Sequence, residues 1–207
     1  MRTFVNNVGR TTMNVSDHKA DDYGKKVWLS REDIQILLDS AKDSERRIAY
    51  SLGAYCGLRT KEILHVAPDD MRETQSGKVL VVREGKGDKY REVPIPPTLS
   101  TSIATVDDIR SEPSTDPIIS VSSTRGLRKW IESRRRKLAA EYDDRWEFVS
   151  FHDLRRTWAS ALSDSGVKDR LVMNWGGWND LETFLEHYEG KFSPEAQRRE
   201  RDKVEWL

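Results

Sequence analysis

The sequence predicts a mainly α-helical protein with one small antiparallel β-sheet, an α+β chain around a single core. Apolar residues recur at helical spacing through most of its length, as in Ile34, Leu37, Leu38 and Ala41. The period switches once. Lys78-Val79-Leu80-Val81-Val82 is β-rich, a glycine-containing turn follows, and Tyr90-Arg91-Glu92-Val93-Pro94-Ile95 alternates. At 207 residues the chain is long enough to bury a core of its own.

The elements follow in order. Residues 1–27 are polar and aperiodic, which predicts a flexible N-terminal arm followed by a folded domain over 28–207. Ser30 and Asp33 form the pattern of a capping box at the start of a first helix. A second helix is expected from Ser44 through Ala54, closed by Gly57, and a third, short one from Thr60 to Val66, stopped before Pro68. The two β-type runs make a hairpin whose tip carries Lys86 and Lys89, and Pro94, Pro96 and Pro97 end its second strand. Thr101 to Pro117 reads as a helix and a loop. Ser122 to Tyr142 reads as a long helix with Leu127, Trp130, Ile131 and Leu138 on one side. A helix from Arg155 to Ser165 breaks at Gly166. Shorter pieces follow at Lys168–Trp175 and Leu181–Tyr188, and Ser193-Pro194-Glu195 opens a last helix.

Bulk composition narrows the class without naming a partner. Charged residues make up 34% and hydrophobic ones 36%, the balance of an ordered chain with an ionic surface. Lysine plus arginine equals aspartate plus glutamate at 35 each, so only the distribution of charge speaks for nucleic acid. A lone Cys56 excludes an internal disulfide and points to a reducing compartment. No run reaches the ~18 apolar residues of a spanning helix, and the N-terminus lacks a signal-peptide core. The expectation is a cytoplasmic protein without a membrane partner.

Several residues have the chemistry to act on a phosphodiester. Arg59 can bind a phosphate bidentately, with Glu62 one helical turn on to hold it. Lys86, between two glycines at the hairpin tip, can protonate a leaving oxygen, and the nearby Lys89 competes for that assignment or contacts DNA. His152 and Arg155 share a face at a helix start, where the helix end also favours phosphate. His152 can take or relay a proton, and Arg155 can hold the same phosphate as Arg59. Arg156 is expected to face the surface or the DNA backbone. Gly176-Gly177 lets the backbone come close and the Trp178 indole donate. Tyr188 is the one tyrosine after His152, and its phenol, with an ordinary pKa near ~10, becomes a nucleophile beside cations and a base. His65 and His187 read as bystanders. The long helix carries Arg125, Arg128, Lys129, Arg134, Arg135 and Arg136, a basic stripe suited to a DNA backbone. Neither a metal-ligand cluster nor a P-loop is present in the sequence, so no metal or cofactor is expected.

Taken in order, Gly-Leu-Arg-Thr-Lys-Glu at Arg59, Gly-Lys-Gly-Asp-Lys at Lys86, His-Asp-Leu-Arg-Arg at His152 and Arg155, Gly-Gly-Trp at Trp178, and Tyr188 resemble the catalytic domain of the tyrosine recombinase (phage integrase) family. The likeness runs from Trp28 to the C-terminus. Its Gly-Gly-Trp form looks most similar to archaeal and archaeal-virus integrases, which implies a virus or plasmid setting. The resemblance implies the fold of that catalytic domain, with the preceding core-binding domain absent from the ~27 residues before Trp28. It also implies site-specific, metal-independent cleavage and rejoining of double-stranded DNA through a 3′-phosphotyrosyl intermediate, within a tetramer formed on DNA. Tyr188 would attack, Arg59 and Arg155 would stabilise charge, Lys86 would protonate the 5′-oxygen, His152 would assist at Tyr188, and Trp178 would position the phosphate. The alternatives are a relative that occupies recombination sites without strand exchange, and a topoisomerase-like strand transferase.

Overall fold

A computed structural model describes residues 13–16, 25–83, 90–188 and 194–206. In chain order the strands are β1 (Asn14–Ser16), β2 (Lys26–Trp28), β3 (Met71–Thr74), β4 (Gly77–Arg83) and β5 (Tyr90–Pro94). The helices are α1 (Arg31–Asp39), α2 (Ser44–Cys56), α3 (Thr60–Ile63), α4 (Pro97–Ile109), α5 (Thr124–Glu141), α6 (Phe151–Asp164), α7 (Asp169–Gly176), α8 (Leu181–Tyr188) and α9 (Pro194–Arg201). Short 3₁₀ turns at Pro68–Asp70 and Asp144–Phe148 connect them.

Helices α2 and α6 pack on each other at the centre. Gly53 lets them close up, since a Cβ there would stand 3.2 Å from the Leu154 side chain. The end of α2 is set by Gly57, whose φ of 62° is the left-handed conformation that stops a helix. Its other requirement is space, because an added Cβ would sit 2.1 Å from the Trp158 ring. The chain leaves the helix there, and Arg59 becomes the N-cap position of α3. Cys56 is fully buried, and burial pushes its thiol up to about 12, so it is inert packing.

The sheet has three antiparallel strands in the order β3-β4-β5, one more than the expected hairpin. Met71 pairs with Leu80 and Thr74 with Gly77 through a tight turn at Gln75-Ser76. On the other side Leu80 pairs with Val93 and Val82 with Arg91. Val79 through Val82 are buried on both faces, which is why β4 reads as a continuous apolar run. In β5 the alternation buries Arg91 and Val93 and exposes Glu92.

The expected flexible arm is not what the described N-terminal residues show. β1 and β2 pair antiparallel, Asn14 opposite Trp28, and Met13 and Val27 are core residues. Three side chains on one face of α6 fasten this strand. Asp153 Oδ1 accepts from the Val27 N–H at 3.0 Å, Thr157 Oγ1 from the Leu29 N–H at 3.0 Å, and Ser160 Oγ from Trp28 Nε1 at 3.1 Å. Polarity hid this, because the anchoring hydrogen bonds come from 126 residues or more away. Residues 1–12 and 17–24 lie outside the described residues.

Helix α6 starts at Phe151, earlier than expected, because Ser150 donates its N–H at 3.0 Å and its hydroxyl at 2.5 Å to the Asp153 carboxylate. Ser30 and Asp33 do the same for α1, as the sequence predicts. Helix α9 is tied to its own domain by Arg199, which donates to the Asp164 carbonyl at the end of α6. Among the described residues no helix is long and apolar enough to cross a membrane.

Candidate active site

The C-terminal end of α7 gathers three arginines from three separate elements. The Trp175 carbonyl accepts from Arg91 Nε at 2.8 Å, the Gly176 carbonyl from Arg155 Nη2 at 2.7 Å, and the Gly177 carbonyl from Arg59 Nη2 at 2.7 Å. Carbonyls at a helix C-terminus have no partner within the helix and carry its negative end, so guanidinium donors fit them. Gly177, with φ 71°, ends the helix and turns the chain so that these carbonyls stay open. Gly176 has a steric role. Any Cβ there would lie 1.9 Å from the Trp178 ring, which folds back over the helix end.

Trp178 is thus the platform of the cluster. The Arg155 guanidinium lies 3.9 Å from its ring centroid, Trp158 stacks at 6.2 Å, and Phe184 of α8 meets it edge-on at 5.2 Å. A desolvated cation–π contact of this kind is worth ~2 kcal/mol. Arg155 is 1% exposed and also donates to the Gly57 carbonyl, so it links α2, α6 and α7. Tyr188 is the last residue of α8, about one turn beyond Phe184. The tyrosine's helix is therefore docked on the same indole that carries Arg155.

Arg59 is held as the sequence suggested. Glu62 accepts from its backbone N–H at 2.6 Å and from Nη1 at 2.8 Å. Glu62 also takes both terminal nitrogens of Arg91, each at 2.8 Å. Burial by itself would raise the Glu62 carboxyl, but the hydrogen bonds and charge of Arg91, then of Arg59, outweigh it and hold it below the ordinary 4.5. A depressed carboxylate contributes stability that is present above its unfolded value and lost as pH falls through the folded one. Thermal melts should therefore weaken as pH drops below 4.5, and Glu62→Gln should flatten that decline relative to wild type.

His152 and Arg155 are not presented together, contrary to the shared face expected. Positions three apart sit roughly 60° apart around a helix, and here that offset spans the edge of the core. His152 is exposed, while Arg155 turns inward to the backbone carbonyls. His152 lines a cleft of about 690 Å³ with Lys25, Lys26, Arg128, Arg135 and Phe148. The basic stripe of α5 divides accordingly. Arg128 and Arg135 line the cleft, Arg135 also donating to the Val149 carbonyl at 3.2 Å. Arg125, Lys129 and Arg136 are exposed elsewhere on the helix and Arg134 is half-buried.

Arg156 corrects the sequence reading. It is 5% exposed and lines the same cleft from its buried wall, where its charge is paired with the buried Asp153 instead of standing on the surface. Its guanidinium also lies 5.5 Å from the Trp28 ring centroid. Burial pushes the Asp153 carboxyl up, opposed by the Arg156 charge and by hydrogen bonds from Ser150 and Val27. Lys86 and Lys89 lie outside the described residues, as do the side chains of His187 and Tyr188. Sequence reasoning missed Arg91, Lys25 and Lys26. The strand period does place Arg91 on the inward face with Val93, where a cation needs a partner.

The phage integrase family matches residues 27–193 of the chain. The chain is 30% identical to the tyrosine recombinase XerA of Thermococcus kodakarensis, over 75% of this chain and 55% of that protein. It is 28% identical to XerA of Pyrococcus furiosus, over 75% and 54%. The chain thus spans about half the length of the curated relatives it matches. Among solved structures, a XerA recombinase crystal structure superposes with a TM-score of 0.69 at 22% identity, covering 86% of this chain and 65% of that one. The Tn1549 transposon integrase in complex with transposon right-end DNA superposes with 0.66 at 15% identity, covering 89% and 68%. At these identities the likeness concerns the fold, a mostly helical catalytic domain with a small antiparallel sheet.

Proposed function

Because the chain belongs to the phage integrase family, we propose that it is a site-specific recombinase that cleaves and rejoins double-stranded DNA through Tyr188. The observation that carries this is the α7 end, where consecutive carbonyls hold Arg59 and Arg155 beside the helix bearing Tyr188. The Tyr188 phenol oxygen bonds to the phosphorus while the bond from phosphorus to the 5′-oxygen breaks. The family resemblance assigns receipt of the phenol proton to His152, which lines the neighbouring cleft and must meet Tyr188 from that side, and protonation of the departing 5′-oxygen to Lys86. Arg59 and Arg155 stabilise the charge on the non-bridging oxygens, and prearranged donors of this kind are worth ~10²–10³ in rate each. Trp178 acts through Arg155, by fixing the plane of its guanidinium. The phosphotyrosyl bond keeps the energy of the original ester, so a second 5′-hydroxyl reverses the step.

The exposed cations of α5, with Arg128 and Arg135 in the cleft, bind the DNA backbone. Guanidinium and ammonium groups take the role that metal ions have in other phosphoryl transfers, so no cofactor is required. The working assembly is a tetramer on DNA, inside the cell. End-group analysis of cleaved duplex in the presence of a chelator tests this chemistry. Polynucleotide kinase should label the new 5′ end without prior phosphatase treatment, because it carries a hydroxyl. A 5′-phosphate, or a reaction abolished by the chelator, would refute it.

A further inference from the structure

We propose that the cleft beside His152 takes unpaired nucleotides of a DNA strand, with Phe148 as the platform on which a base stacks; this rests on the strand-transfer reading above, in which one strand is freed next to the cut. Phe148 ends the turn Asp144–Phe148 and stands between Trp146 and Val149, which are 1% and 0% exposed. Those two neighbours anchor the turn in the core, and Arg135 holds its exit through the Val149 carbonyl. Phe148 is left outside, the one phenylalanine exposed among the described residues. A single apolar side chain on a surface is ordinary, but this ring stands in a cleft lined by cations.

The cations come from two elements distant in sequence. Arg128 and Arg135 share one face of α5 with Ile131 and Glu132, and stand roughly 10 Å apart along the helix. Lys25 and Lys26 come from the start of β2 and the residue before it. Thr60, the residue after Arg59, lines the cleft as well, so it runs on from the place where Arg59 holds the phosphate in that reading. A strand held there leads its next nucleotides into the cleft. Glu132 and the Asp153–Arg156 pair lie among the same groups, which favours a nucleotide with a base to stack over a bare anion. At about 690 Å³ the cleft has the size of a small-molecule pocket, room for roughly one or two nucleotides and too little for a duplex. A cationic groove with an aromatic ring is the means by which proteins hold single strands without reading their sequence. Lys25 Nζ lies 4.7 Å from the Phe148 ring centroid. An exposed contact of that kind is weaker than base stacking, so a base can take the ring while the ammonium moves to its phosphate.

Fluorescence anisotropy of the full chain with labelled probes tests this. The probes are a short single strand of randomised sequence, the same backbone with abasic positions, and a hairpin duplex. Wild type should bind the intact strand about tenfold more tightly than its abasic counterpart, the scale of one stacked base. Phe148→Leu should abolish that preference while its unchanged duplex affinity shows that it is folded, and Phe148→Trp should keep the preference. Equal affinity of wild type for intact and abasic strands, or a preference that survives in Phe148→Leu, would overturn the stacking site and leave strand transfer intact. A preference for intact strands in a wild type that forms no covalent adduct with DNA would keep the site and overturn its link to strand transfer.

Discussion

Arg155→Ala should abolish most activity and much stability together. The guanidinium donates to the Gly57 and Gly176 carbonyls and covers the Trp178 ring, all in a site from which water is excluded. Each buried carbonyl left without a partner costs ~1–3 kcal/mol, and the lost cation–π contact adds ~2 kcal/mol. A urea titration should show a loss of about 3–5 kcal/mol, tempered by local relaxation. The adduct rate measured on the folded fraction should fall by a further ~10²–10³. Arg155→Lys should recover little of either, since one ammonium cannot span two carbonyls on separate helices. Wild-type kinetics in Arg155→Ala would remove it from the phosphate site.

Arg156→Ala, one position along, should separate stability from DNA binding. Breaking a buried ion pair from one side costs ~3–5 kcal/mol because the remaining charge has no compensation. Here that charge is Asp153, which also holds the Val27 and Ser150 N–H groups and so anchors β2 against α6. The unfolding midpoint should drop sharply. The salt dependence of DNA binding should match wild type, whereas Arg128→Ala in the cleft should reduce the salt slope by about 1. A normal melt with a reduced slope in Arg156→Ala would restore the outward-facing reading.

The contrast between these adjacent arginines shows what was legible in the sequence. The period of Ile34, Leu37 and Leu38, the Ser30–Asp33 box and the Gly57 stop all encode local structure, and each matches the element formed. The β4–β5 alternation was equally local. Strand β3 was not, because Met71-Arg72-Glu73-Thr74 has a single apolar residue and no apolar alternation, and its partner is β4. Strand β2 escaped for the same reason, its donors being met by α6.

Motif order picked out Arg59, Glu62, Arg155 and Trp178, and the fold brings all four to one helix end. The motif could not say what each side chain faces. Arg155 and Arg156 are indistinguishable as letters, and both turn inward because α6 is buried from Asp153 through Ala159. Gly-Gly-Trp suggested backbone approach to a ligand, whereas the glycines make room for the indole and free the carbonyls that hold arginines. Arg91 needed the strand face and the distant Glu62 to be considered together.

If Tyr188 attacks a DNA phosphate, the covalent complex can be trapped. Wild-type protein and Tyr188→Phe would be incubated with a pool of nicked duplexes of randomised sequence, denatured, and resolved by electrophoresis. Wild type should give a denaturation-resistant protein–DNA adduct that maps to the peptide containing Tyr188, and Tyr188→Phe should give none although it binds DNA equally well. An adduct that persists in Tyr188→Phe, or wild-type binding without any adduct, would contradict it.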